Sequence, residues 1–115
     1  MILTAIIASL VAIGTGSTVA QARTKQLTSA KIQRVICIVF KSHCYEALKV
    51  AYCESRFNIW ARNGQYLGLF QMGSHERELF GYGNNPWVQA KAAHRYFSYE
   101  IRHNAYGWAP WQCKP

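Results

Sequence analysis

Residues 51–72 read AYCESRFNIWARNGQYLGLFQM, and the rest of the chain is organised around this stretch. A helical pattern ends at a carboxylate, Glu54, and the chain then crosses a polar turn at Asn63-Gly64 and reaches a single amide, Gln71. The negative end of a helix dipole disfavours a carboxylate in the last turn, and burial acts in the same direction. Both effects raise the pKa of Glu54, which is what a general acid needs.

The patterns on both sides of this stretch predict a mainly helical domain. Ser29 is the expected N-cap of a first amphipathic helix, and a second helix is expected from about Tyr45 to Ser55. Asn85-Pro86 has the N-cap and first-position signature of a last long helix, which should end near Arg102. We therefore expect a mainly α fold, of the α+β type with only a small β part.

Two short elements are expected between the second and the last helix. Residues 60–62 and 65–67 flank the Asn63-Gly64 turn and predict a small irregular or β-hairpin insertion. Ser74 is the expected cap of a short helix that ends near Phe80.

The first 22 residues differ from the rest of the chain. Residues 1–19 carry no charged side chain, and Ala20-Gln21-Ala22 places small residues at the −3 and −1 positions of a cleavage site. We interpret residues 1–22 as a secretory signal peptide and residues 23–115 as one domain. The alternative is a retained membrane anchor, but the apolar run is shorter than the roughly 20 residues of a spanning helix.

Four cysteines predict disulfide bonds, because an even number is typical of small secreted domains. Three pairings are possible; Cys37 and Cys44 flank a predicted turn and are the natural local pair, which leaves Cys53 with Cys113. The second bridge would close a loop of about 61 residues and stabilise the fold by roughly 4 kcal/mol on the chain-entropy model. A zinc site is the alternative, but no Cys-x-x-Cys or His-x-x-x-His spacing supports it.

The net charge of +8 falls entirely within residues 23–115. A basic surface suits a polyanionic partner such as nucleic acid, an anionic membrane or an anionic cell wall. The Lys and Arg residues are scattered, which weighs against a nucleic-acid-binding arm. A secreted nuclease is not favoured either, because the sequence has no paired His residues and no cluster of carboxylates.

The chain has no Asp, and its five acidic residues are Glu46, Glu54, Glu76, Glu78 and Glu100. Glu76 and Glu78 follow Ser74, so we interpret them as first-turn charges of the short helix rather than as catalysts. Most glycosidases use two carboxylates. A mechanism with one carboxylate fits this composition better, with an N-acetyl group of the substrate or a water molecule in the second role.

The segments ESRFN (residues 54–58), then Ala61, and GLFQM (residues 68–72) together resemble the two-part motif of soluble lytic transglycosylases, which cleave peptidoglycan. Residues 92–97 resemble a later Ala-x-x-Tyr-hydrophobic segment of that family. The pairing of Cys53 with a C-terminal cysteine is similar to resuscitation-promoting factors, and the resemblance covers roughly residues 47–113. The family's Ala-Tyr-Asn-x-Gly segment is missing as such, so Tyr106 receives no catalytic role.

The resemblance implies a lysozyme-like fold, with a helical lobe and a small hairpin beside a saccharide cleft. It implies that Glu54 protonates the β-1,4 glycosidic oxygen between MurNAc and GlcNAc, and then acts as base on the MurNAc 6-hydroxyl to give a 1,6-anhydro product. Ser55 matches a serine that lies near the catalytic carboxylate in that family. Gln71 matches the family's amide that contacts the substrate, and Tyr96 matches a tyrosine at the side of the cleft.

Several aromatic residues are candidates for stacking on sugar rings. Trp60 and Tyr66 lie beside the turn and are the best of them, whereas Trp87 and Trp111 are expected to pack in the core. His94 is expected to be a packed helix residue rather than a catalyst.

The leading hypothesis is a secreted, monomeric cell-wall enzyme that acts on peptidoglycan glycan strands. It would need no metal or other cofactor, would bind no nucleic acid, and would have no stable membrane insertion after signal cleavage. The product, anhydro or hydrolysed, stays open. The alternative is a non-catalytic, cationic cell-wall-binding or antimicrobial domain on the same fold.

Overall fold

The computed structural model describes residues 18–115, which form four α-helices and one two-stranded sheet. The helices are α1 (Val19–Phe40), α2 (Cys44–Ser55), α3 (Ser74–Phe80) and α4 (Pro86–Asn104), and a 3-10 turn (Lys41–His43) joins α1 to α2. Strands β1 (Arg62–Asn63) and β2 (Tyr66–Leu67) pair antiparallel between α2 and α3. The prediction of a mainly helical domain with a small β insertion is confirmed.

The first helix begins earlier than predicted, and Ser29 is not its N-cap. Thr18 caps it instead: the Thr18 hydroxyl accepts from the Gln21 N–H at 3.2 Å, and Gln21 Oε1 accepts from the Thr18 N–H at 3.0 Å. No Pro or Gly interrupts residues 19–30, so nothing in that part of the sequence ends the helix. Residues 1–17 of the predicted signal peptide lie outside the described residues, and α1 crosses the predicted cleavage site after Ala22.

The core lies between α1, α2, α4 and the C-terminal tail. Phe40 is at its centre, with ring centroids 5.4 Å from Phe70, 5.8 Å from Phe97 and 5.5 Å from Trp108. Trp111 is 5% exposed, which confirms its predicted core position and fixes the tail against the helices.

The prediction that Trp87 packs in the core is wrong, because its side chain is 41% exposed. The buried face of α4 instead carries Gln89, Ala90 and Phe97. Lys91 lies over the Trp87 ring at 5.8 Å from its centroid, so the indole has a cation rather than the core as its neighbour. Ile101, near the end of α4, is also exposed.

The caps of the two later helices differ in how well the sequence predicts them. Asn85 is the N-cap of α4 as predicted, since its side-chain oxygen accepts from the Val88 N–H at 3.0 Å. Ser74 is not the cap of α3; Gly73 has that position, and Ser74 is the first helical residue. The Ser74 hydroxyl donates to Gln65 Oε1 at 3.0 Å, which ties α3 to the hairpin rather than to its own backbone.

The hairpin pairs Arg62 with Leu67 and Asn63 with Tyr66. Gly64 is the first residue of the two-residue loop and has a φ of +60°, a position that type II′ turns reserve for glycine. Leu67 also bridges to Met72, with both N–H···O distances at 3.1 Å. The GLFQM segment is therefore a tight loop attached to the hairpin.

Both predicted disulfide pairings are confirmed. Cys37 and Cys44 are 4.4 Å apart between Cα atoms, and Cys53 and Cys113 are 6.0 Å apart across a sequence separation of 60. The second bridge ties the tail to the end of α2. Within residues 18–115, the helices lack the length and apolar character that a membrane crossing requires.

The amide of Gln89 joins three segments that meet beside the hairpin. Its Oε1 accepts from the Leu69 N–H at 2.8 Å, and its Nε2 donates to the carbonyls of Ile59 at 3.0 Å and Gly83 at 2.9 Å. A Cβ built on Gly68, where φ is +82°, would overlap the Gln89 amide, so glycine is required there.

Gln89→Met keeps the length of the side chain and removes its amide. The buried Leu69 N–H loses its acceptor and two carbonyls lose a donor, so the free energy of unfolding should fall by about 2 to 4 kcal/mol. Urea denaturation measures the change. The control is Gln33→Met on α1, where the amide donates to Ser29 in the same helix and the loss should stay below about 0.5 kcal/mol. Equal losses in the two variants would contradict this role for Gln89.

Candidate active site

One cleft lies where the end of α2, the hairpin, α3, α4 and the tail meet. Its volume is about 340 Å³. None of the described residues that line it is Lys or Arg, although the chain as a whole is basic. The lining residues are Glu54, Asn63, Tyr66, Gln71, Met72, Gly73, Glu76, Tyr96, Pro110, Trp111 and Gln112.

Glu54 lies in the last turn of α2, as predicted, and its side chain faces this cleft. The Cys113 N–H donates to Glu54 Oε1 at 3.2 Å, so the disulfide-held tail contacts the carboxylate directly. Burial raises the pKa of Glu54 above its ordinary value, and the Cys113 hydrogen bond and the charge of Lys114 oppose this rise. The result is a carboxyl that keeps its proton to a higher pH than an exposed glutamate does.

The backbone around Glu54 and Gln71 adopts left-handed conformations that non-glycine residues rarely occupy. Arg56 and Phe57 have φ values of +54° and +59°, and Gln71 has +46°. The Arg56 guanidinium lies over the Tyr52 ring at 4.4 Å from its centroid and braces the first of these turns. Each such residue costs on the order of 1 to 3 kcal/mol, so the surrounding contacts must hold this shape.

The Gln71 side chain is fixed by its own loop. Its Nε2 donates to the carbonyls of Ala61 at 3.1 Å and Gly68 at 3.0 Å, which uses both amide hydrogens. Its Oε1 is therefore the polar atom left for a ligand in the cleft. The predicted pairing of one acid and one amide across a turn corresponds to two side chains on the wall of the same cleft.

Tyr66 and Tyr96 also line the cleft, so two more of the predicted site residues come together there. The Tyr96 ring lies 4.9 Å from Phe80 and 5.1 Å from Trp111 between centroids. Burial raises the pKa of Tyr96 to about 12, with the negative charge of Glu76 as the next cause. The Tyr96 hydroxyl therefore stays protonated at neutral pH and can donate a hydrogen bond.

Two predicted substrate-binding residues lie away from the cleft. Ser55 is buried, and its hydroxyl donates back to the Ala51 carbonyl at 2.9 Å within α2. The Trp60 side chain is 65% exposed, and the backbone N–H of Trp60 donates to Asn58 Oδ1 at 2.9 Å. The structure gives Ser55 a helical hydrogen bond and leaves Trp60 without a place on the cleft wall.

Sequence reasoning missed three polar residues of the cleft, namely Asn63, Glu76 and Gln112. Glu76 does lie in the first turn of α3, as predicted, but it also faces the cleft. No local pattern separates Glu76 from Glu78, because the packing of α3 against α4 and the hairpin decides which of the two faces inward. His94 is not among the lining residues; it packs edge-on against Phe40 at 5.1 Å between ring centroids.

Comparison with protein-family models, with curated proteins and with solved structures found no match. Within residues 18–115, no group of three or more His, Cys, Asp or Glu side chains is placed to hold a metal ion. The functional assignment therefore depends on the chemistry of the residues that line the cleft.

Glu54→Gln should raise the free energy of unfolding at pH 7, because it removes a charge that burial disfavours. We expect a gain of up to about 1 kcal/mol, given how strongly solvent screens a half-exposed group. The raised pKa means that the folded state holds this proton to a higher pH than the unfolded chain does. Its stabilisation is complete below the unfolded pKa and is lost as pH rises through the folded pKa.

The gain in stability should therefore disappear as pH falls below the ordinary pKa of glutamate, because Glu54 is then protonated in both the folded and the unfolded chain. Urea titrations between about pH 4 and 8 measure it. Glu78→Gln, an exposed change on α3, is the matched control. If Glu54→Gln is no more stable than this control at pH 7, the burial argument is wrong.

Proposed function

We propose that the protein cleaves the β-1,4 bond between MurNAc and GlcNAc in bacterial peptidoglycan, with Glu54 as the general acid. The observation that carries the proposal is the half-buried Glu54 carboxyl, with its raised pKa, on the wall of a cleft of about 340 Å³. The resemblance of residues 54–58 and 68–72 to the lytic transglycosylase motif supports it, as does the presence of Gln71 and Tyr96 in the same cleft. The proposal includes a lysozyme-like fold for the domain.

In the proposed reaction, protonated Glu54 gives its proton to the glycosidic oxygen as the bond from that oxygen to MurNAc C1 breaks. GlcNAc leaves with a 4-hydroxyl, and Glu54 becomes a carboxylate. Positive charge develops at C1 and on the ring oxygen, and the acceptor then adds to C1. The acceptor is either the MurNAc 6-hydroxyl, whose proton returns to Glu54, or a water molecule.

The charge and the disulfides support a place outside the cell. Two disulfides fit an oxidising compartment. A net charge of +8 favours an anionic cell wall as the surface on which the enzyme works. We propose a secreted protein that acts on glycan strands of that wall, with the apolar N-terminal segment as its export signal.

Glu54→Gln tests the role of the general acid. The amide cannot supply a proton, so the release of soluble muropeptides from purified sacculi should fall by at least about 100-fold. Chromatography and mass spectrometry of the supernatant measure the release. Glu78→Gln is the control with the same chemical change, and it should release fragments at the rate of the unchanged protein.

The same experiment distinguishes the enzyme from a non-catalytic cationic cell-wall-binding domain. Such a domain would bind sacculi, weaken its binding as salt increases, and release no fragments. Unchanged release by Glu54→Gln would contradict the role of Glu54. No release by the unchanged protein would favour the binding domain instead.

The rate should also fall as pH rises through the pKa of Glu54, because only the protonated carboxyl can act as an acid. The raised pKa places this fall above the range of an ordinary glutamate. Initial rates of muropeptide release between about pH 4 and 8, at constant ionic strength, measure the profile. A rate that stays constant up to about pH 8 would contradict the assignment of the proton to Glu54.

A further inference from the structure

We propose that Glu76 is a second catalytic carboxylate, the base that activates a water molecule, so that the cleavage is hydrolytic. This inference rests on the proposed function of the cleft and names its acceptor. Neither the composition nor the resemblance to lytic transglycosylases points to it, since both favour a mechanism with one carboxylate.

The first observation is the position of the two acids. Glu54 comes from the last turn of α2 and Glu76 from the first turn of α3, and both line the same cleft. Two carboxylates beside one saccharide cleft are the arrangement that most glycosidases use. The cleft lining between residues 18 and 115 contains no Lys or Arg to pair with either acid.

The second observation is the free state of the Glu76 carboxylate. Glu76 is at the third helical position of α3, where a glutamate often accepts from the backbone N–H of the N-cap residue. The structure gives it no such bond, and within residues 18–115 it has no hydrogen bond or ion pair. A carboxylate with both oxygens available can accept a proton from water.

The third observation is that Gly73, which has no side chain, leaves room for the Glu76 carboxylate. A Cβ built on Gly73 would overlap Glu76 Oε2, so any other residue at position 73 would displace the carboxylate. The same Cβ would lie 3.4 Å from the Tyr66 ring, so Gly73 brings the carboxylate close to an aromatic wall of the cleft. The Tyr96 hydroxyl lies within the electrostatic influence of Glu76 and remains a neutral donor.

The proposed step balances with water as the only co-reactant. Glu54 gives its proton to the leaving oxygen, the bond between that oxygen and MurNAc C1 breaks, and the water oxygen bonds to C1. Glu76 takes the proton that this water releases. Glu54 ends as a carboxylate and Glu76 as an acid, and exchange with solvent restores both groups. The product is a MurNAc with a free reducing end rather than a 1,6-anhydro sugar.

The experiment digests purified sacculi with the full chain in water enriched in ¹⁸O and analyses the muropeptides by mass spectrometry. We expect reducing MurNAc ends that carry one ¹⁸O at C1. We expect Glu76→Gln to reduce these products by at least about 100-fold, and Glu78→Gln, on the same helix but outside the cleft, to stay within about twofold of the unchanged protein. The circular dichroism of each variant verifies its fold.

Chemical rescue separates proton transfer from a structural role. Glu76→Ala leaves space for a small acid, so sodium formate should restore part of the hydrolysis by this variant and none of that by Glu54→Gln. Failure of formate to restore any hydrolysis would overturn the assignment of Glu76 as the base.

The remaining outcomes separate this inference from the proposed function. Release of 1,6-anhydro products alone by the unchanged protein overturns the inference and leaves the proposed cleavage standing. Glu76→Gln with the rate and products of Glu78→Gln does the same. No release by the unchanged protein overturns the proposed function, and the inference with it.

Discussion

The cleft depends on the hydrogen bonds of one buried amide, that of Gln89. Burying an amide is unfavourable unless its polar atoms find partners, and this one reaches three different segments of backbone. It holds the loop that presents Gln71 at a fixed distance from α4, and it does so through a close approach that only glycine permits at position 68. The left-handed backbone of Gln71 can persist because these bonds, and the amide of Gln71 itself, determine the shape of the loop.

The C-terminal tail supplies another part of the cleft wall and also affects the pKa of the acid. The Trp111 indole donates to the Phe70 carbonyl at 2.8 Å, and the Cys53–Cys113 bridge fixes the next turn of the tail to α2. Burial raises the pKa of Glu54, while the Cys113 N–H and the charge of Lys114, both in the tail, limit the rise. The acidity of Glu54 therefore depends on the tail staying in place.

The sequence predicts what local chemistry decides and fails where packing decides. The cap at Asn85, the hairpin turn, the ends of α2 and both disulfides follow from residues close in sequence or from elimination among four cysteines. The core position predicted for Trp87 is wrong because the buried face of α4 includes a polar residue, Gln89, and Trp87 lies outside that face. The capping box of Thr18 and Gln21 can be read from the sequence, but both residues fall within the predicted signal peptide, so no helix start is predicted there. The cleft position of Glu76 has no local signal, because it depends on how α3 packs.

The distribution of charge suits the proposed reaction in two ways that a uniform basic surface would not. The exterior carries the cations, which favour approach to a polyanionic wall at a distance, whereas the cleft lining among the described residues contains two of the chain's five acids and no Lys or Arg. The sugar ring gains positive charge as the glycosidic bond breaks, so cations on the cleft wall would oppose the reaction and carboxylates favour it. The other three acids have no such position: Glu46 pairs with His43, Glu100 accepts from Asn104, and Glu78 is exposed.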